Sequence, residues 1–175
     1  MSTSTTQTGT ANTGTTPAGG PLVRRADARD IDAVERLLAA SGLPLDGVRE
    51  SLGDFVVAEA DGELVGVAGL EVRSENALLR SVAVAPGLRS HGLGRTLVNH
   101  VIADAEARGL NALYLLTTTA ERYFPSFGFH TIARDAVPDD IRITGEFREA
   151  CPASATVMCR ECAPAARAPA ARASS

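Results

Sequence analysis

The chain contains no lysine: all 17 of its basic residues are arginine. Phosphate loops and Schiff bases that depend on a lysine amine are thereby excluded. Aromatic residues are scarce, and no apolar run approaches the ~20 residues that a membrane-crossing helix needs. The N-terminus lacks the basic start and apolar stretch of a secretory signal, and it has no arginine for a transit peptide. Net charge is −4, so a broad phosphate-tracking surface has no electrostatic support. Neither nucleic acid nor membrane is expected as a partner. There are only three cysteines, an odd number, which points to reduced thiols in a cytoplasmic protein rather than to disulfides. Cys151, Cys159 and Cys162 share no ligand spacing with His91, His100 or His130, so no metal site is expected.

What is present falls into three parts. Residues 1–20 are almost wholly small and polar, and residues 163–175 carry an Ala-Pro-Ala-Ala-Arg repeat. Neither stretch can bury enough apolar surface to offset the entropy of ordering, so both are expected to be disordered tails. Residues 21–162 are enough for one domain. Within it, Asp27 and Asp30 have the spacing of a helix cap, and Ile31, Val34, Leu37 and Leu38 follow at helical intervals. Two apolar runs joined across Asp61-Gly62 predict a β-hairpin, with a third antiparallel strand over 77–84. The longest helix is expected over 91–108, and shorter helices over 48–52, 120–127 and within 138–149. Further strands are expected over 112–117, 131–134 and 155–160. A meander followed by strand–helix–strand units predicts an α/β fold with a mixed sheet.

One stretch carries chemistry. A strand ends at Pro86, a loop runs through Arg89-Ser90-His91-Gly92-Leu93-Gly94, and a helix starts at the glycines. Backbone N–H groups at such a junction, with the positive end of the helix dipole, suit a pyrophosphate. Gly92 and Gly94 place no Cβ in its way, and Arg89 and Arg95 add charge. A helix merely entered through a tight turn would use the same glycines. A Walker loop would need the missing lysine, and a dinucleotide fingerprint would need glycine at Leu97.

Arg89-x-x-Gly92-x-Gly94 after Val82-Ala83-Val84-x-Pro86 resembles the acetyl-CoA signature of the GNAT N-acetyltransferase superfamily. The similarity extends to A-E-R-Y-F-P-S-F-G-F over 120–129. It implies the GNAT fold with splayed central strands, and acetyl-CoA as co-substrate. The backbone of Val82, Ala83 and Val84 would pair with the pantetheine arm, and Arg89, Ser90, His91, Gly92, Leu93, Gly94 and Arg95 would hold the pyrophosphate. Segments 69–72, 78–86, 120–129 and 141–155 further resemble the GNAT proteins of bacterial arsenic-resistance operons. That likeness implies a small amine acceptor, such as a glutamate-like amino acid or its organoarsenical or phosphinic analogue.

Acetyl transfer to an amine needs a base for the ammonium proton, an oxyanion stabiliser and an acid for the leaving thiolate. Glu71 is the expected base. Many GNATs carry a tyrosine acid where this chain has Phe124; Tyr123 stands one residue earlier and can serve only by a different geometry. Arg80 and Arg73 are the expected partners of acceptor carboxylates. Two other readings stay open: an acyl-CoA-binding regulatory module with weak catalysis, and a metalloid-binding protein built on the three thiols. The chain is expected to act as a monomer or homodimer.

Overall fold

A computed structural model of the chain describes residues 20–150 and 152–163. Almost all of the two expected tails, and Cys151, lie outside these residues. Seven strands form one mixed sheet: β1 (Leu22–Arg25), β2 (Phe55–Ala60), β3 (Glu63–Arg73), β4 (Asn76–Val84), β5 (Ala112–Thr117), β6 (His130–Thr131) and β7 (Thr156–Glu161). Their spatial order is β1-β2-β3-β4-β5-β7-β6. Only β4 and β5 pair in parallel. The helices are α1 (Ile31–Ala40), α2 (Val48–Ser51), α3 (Leu93–Ala107) and α4 (Asp139–Arg142).

Local chemistry fixes most of these boundaries. The Asp27 carboxylate accepts from the Arg29 N–H at 2.9 Å, and the Asp30 carboxylate accepts from the Asp27 N–H at 2.8 Å. This reciprocal cap opens a single 3₁₀ turn that runs into α1. Asp61 (φ +52°) and Gly62 (φ +78°) make the tight β2–β3 turn that their sequence predicts. The longest helix starts at Leu93 rather than at residue 91, because Gly92 is left-handed at φ +83°.

Both faces of the sheet are covered. Leu93, Leu97, Val98, Val101, Ile102 and Ala105 of α3 pack on one face, against residues that include Leu70, Leu79 and Leu113. Leu97 is fully buried, a burial worth roughly 1.5–3 kcal/mol. Val34 and Leu38 of α1 and Val48 of α2 cover the other face over Phe55, Val57 and Val67. Ile141 of α4 and Phe147 pack on Leu78, Tyr114 and Val157.

Two expected elements are shorter than their patterns, and the helical turns expected within 138–149 are present. The 120–127 segment has turns and one 3₁₀ turn, Phe124–Phe127, because Pro125 supplies no N–H and Gly128 turns left-handed at φ +87°. The strand expected over 131–134 is the two-residue β6, with Arg134–Ala136 in a 3₁₀ turn. The 138–149 region holds α4 and a π-helical turn, Glu146–Ala150. No helix among the described residues is long and apolar enough to cross a membrane.

Candidate active site

β4 and β5 run side by side only where residues 76–78 pair with 112–114. Both strands continue beyond that point, β4 to Val84 and β5 to Thr117, with no further pair between them among the described residues. A bulge accompanies the divergence. Gly69 pairs with Arg80 and Val67 with Ala83, so Ser81 and Val82 together oppose Ala68. Ser81 adopts φ +57°, a left-handed conformation that costs a non-glycine residue about 1–3 kcal/mol and concentrates at functional sites.

The gap between the strands is a cleft of about 250 Å³. Residues 80–82 form one wall, residues 115–117 the other, and Tyr123, Phe124 and Glu146 close it. At one end of β4 lies the glycine loop. Ser90 (φ +68°) and Gly92 (φ +83°) are both left-handed, and no side chain caps α3. The first N–H groups of this long helix therefore lack intrahelical acceptors. Arg89 Nε donates to the Val84 carbonyl at 2.9 Å, tying the loop to the strand. His91 Nδ1 lies 2.9 Å from the Arg89 carbonyl, and both side chains are exposed. Leu93 is buried in the core, so only its backbone faces the loop. Arg95 stacks its guanidinium 4.9 Å from the Phe127 ring and donates to Ser126 Oγ at 3.2 Å. It thereby fastens the 124–127 turn to α3.

Tyr123 reaches the cleft by its own route. Its ring meets Phe124 and Phe127 edge-on at 5.3 and 5.1 Å. A Cβ placed on Gly94 would lie 3.2 Å from its hydroxyl oxygen, so the phenol hangs directly over the start of α3. Burial pushes this hydroxyl up, against a smaller pull from Arg95, and it stays protonated at neutral pH.

Behind the β4 wall lies a buried charge network. Arg80 is almost wholly buried, and its Nη1 donates to Glu71 Oε2 at 2.9 Å. Its Nε stands 3.2 Å from Glu146 Oε2, and its Nη2 donates to the Asp46 carbonyl. Arg73 Nη2 takes the other Glu71 oxygen at 2.5 Å and keeps 43% of its side chain exposed. Glu71 thus holds two guanidiniums together and stands one guanidinium behind the cleft. Glu146 stands in the cleft wall itself, and burial raises its pKa above the usual glutamate value; Arg80 opposes that shift and Glu71 adds to it.

The structure brings Arg80, Val82 and Tyr123 to one cleft, with the glycine loop at its end. Sequence reasoning gave no role to Ser81 or Glu146. The left-handed serine has no sequence signal, and Glu146 meets Arg80 only through the tertiary fold. Cys159 is buried opposite Tyr114, and burial raises both thiols, Cys159 and Cys162. Among the described residues no group of three His, Cys, Asp or Glu side chains is placed to hold a metal ion.

Comparison with known proteins fits this arrangement. Residues 27–131 match the acetyltransferase (GNAT) family model. An amino-acid acetyltransferase from Neisseria meningitidis is 32% identical over 129 residues, covering 69% of this chain but 30% of that protein. An uncharacterized N-acetyltransferase from Chlorobaculum tepidum is 29% identical over 71% of this chain and 85% of its own length. The crystal structure of N-acetylglutamate synthase from Neisseria gonorrhoeae, complexed with coenzyme A and N-acetyl-glutamate, superposes with a TM-score of 0.71 at 24% identity. It covers 83% of this chain and 36% of that one, which establishes a shared fold. The chain belongs to the acetyltransferase (GNAT) family.

Proposed function

We propose that the protein transfers the acetyl group of acetyl-CoA to the amine of a small amino acid. The observation that carries this reading is the free edge of β4 beyond Leu78, leading directly into the glycine loop at the start of α3. A ligand laid along Val82, Ala83 and Val84 gains strand-like hydrogen bonds, and its pyrophosphate meets the N–H groups of 92–95. Arg89, Ser90, His91 and Arg95 border that position. Its thioester would lie in the cleft beside the Ser81–Val82 bulge and the Tyr123 hydroxyl, which supplies the proton for the departing thiolate. Relatives named amino-acid acetyltransferase support the acceptor class, although this chain spans less than a third of the first of them.

Within this reading the arginines divide their work. Arg80 is occupied by Glu71, Glu146 and the Asp46 carbonyl, and so supports the wall. Arg73, half exposed, offers donors to an acceptor carboxylate. Glu71 holds both. An organoarsenical or phosphinic analogue of glutamate belongs among the candidate acceptors on segment resemblance alone. The protein would work in the cytoplasm, where acetyl-CoA and free amino acids meet. The test is thiol release from acetyl-CoA against a panel of amino acids, these analogues and simple amines. Saturable release with an amino-acid acceptor is expected. Tight acetyl-CoA binding without release for any amine would favour a regulatory module instead.

A further inference from the structure

We propose that Glu146 is the group that takes the proton from the acceptor's ammonium, with Glu71 as a positioning residue behind it. The inference rests on the acetyl-transfer reading and names a residue that the sequence does not single out. Three observations carry it. Glu146 lines the cleft that also contains Ser81, Val82 and Tyr123, and Glu71, which binds guanidiniums at 2.5 and 2.9 Å, is not among the lining residues. The turn that carries Glu146 is anchored on both sides. Ile141 and Thr144 are fully buried, Thr144 Oγ1 donates to the Ile141 carbonyl at 2.8 Å, and Arg134 stacks 4.5 Å over the Phe147 ring. Finally, Glu146 is the one acidic side chain among the described residues lining the cleft, so it is the carboxylate that an incoming ammonium meets there.

The charged groups facing Glu146 include Arg80 and Glu71, with Tyr123 across the cleft and Arg134 turned to the Phe147 carbonyl and ring. Burial raises the Glu146 pKa despite Arg80, which makes it a better proton acceptor than an ordinary glutamate. The ammonium gives its first proton to Glu146, which passes it to water. The free amine's electron pair forms the N–C bond at the thioester carbon. As the C–S bond breaks, its electron pair leaves on sulfur. The thiolate takes a proton from Tyr123, which recovers one from the acetylated nitrogen. The products are the amide, coenzyme A and one proton released to solvent.

The experiment is a pH–rate profile, by thiol release with a turned-over amino acid, for wild type, Glu146→Gln, Glu146→Asp and Glu71→Gln. Acetyl-CoA affinity is measured for each. Glu146→Gln should lower kcat by about 10²–10⁴-fold at neutral pH with acetyl-CoA affinity intact. The deficit should shrink as pH approaches the acceptor amine's own pKa, and Glu146→Asp should recover part of the rate. Glu71→Gln should act mainly through the acceptor KM, with an unaltered pH dependence. Parallel profiles for wild type and Glu146→Gln within about threefold would overturn the proposal while leaving acetyl transfer standing. So would a pH-dependent deficit in Glu71→Gln alone, which would make Glu71 the base. No release by wild type with any amine would remove the function and the Glu146 assignment together.

Discussion

A hydroxyl that hands a proton to a departing thiolate must be protonated beforehand and must reach the sulfur. Tyr123 meets the first condition through burial and the second by lining the cleft with Ser81 and Val82, where the thioester would lie. Tyr123→Phe removes the proton and keeps the ring that packs edge-on against Phe124 and Phe127. A fall in kcat of about 10²-fold, with acetyl-CoA affinity nearly unchanged, is expected from single-turnover kinetics. An unchanged kcat would assign that proton to water. Gly94→Ala tests the geometry separately. Its new methyl would stand 3.2 Å from the tyrosine oxygen, while alanine suits a helix better than glycine does. The variant should therefore keep its melting temperature and lose part of the Tyr123 contribution.

At the scale of elements, the glycine loop and the sheet give opposite signatures. An added Cβ at Gly92 meets no protein atom within 4 Å, yet the residue sits at φ +83°. Gly92→Ala should cost about 1–2 kcal/mol of stability through backbone strain alone. If the loop holds the pyrophosphate, acetyl-CoA affinity should fall beyond that, as calorimetric titration of the folded variant would measure. Unaltered affinity would remove the loop from the site. Gly69 is the converse case: a Cβ there would lie 2.2 Å from the buried Phe55 ring on the neighbouring strand. Gly69→Ala should lower the urea midpoint by the equivalent of about 1–3 kcal/mol. These contrasts track what the sequence could reveal. The Asp27–Asp30 cap, the Asp61-Gly62 turn and the buried face of α3 depend on residues a few positions apart, and each stands where its pattern predicts. The 120–127 segment carries a helical pattern that Pro125 and Gly128 interrupt. The Ser81 bulge depends on strand register and the Arg80–Glu146 contact on a helical turn distant in sequence, so no local pattern announces them.

For the molecule as a whole, two buried carboxylates pull its stability in opposite directions as pH changes. The Arg24 guanidinium grips Asp30 through two bonds of 2.8 Å and holds its carboxyl below the usual range. The native state then binds fewer protons than the unfolded chain, so this stabilisation is complete above the ordinary aspartate value and is lost as pH falls through the depressed one. Glu146 does the reverse. Burial raises its folded value above the ordinary one of about 4.5, so the native state binds more protons than the unfolded chain between the two. Stability falls as pH rises through that window, and the loss remains at higher pH. Such a cost is expected where a site needs a basic carboxylate in a buried wall. Denaturant titrations at several pH values should separate the two. Asp30→Asn should be less stable than wild type at neutral pH, and the deficit should close in acid. Glu146→Gln should be at least as stable as wild type at neutral pH, and its advantage should shrink as pH falls towards the ordinary glutamate value. A Glu146→Gln protein that is less stable at neutral pH would mean that the ion pair with Arg80 outweighs the burial cost, and Glu146 would then be a structural anchor of the cleft wall.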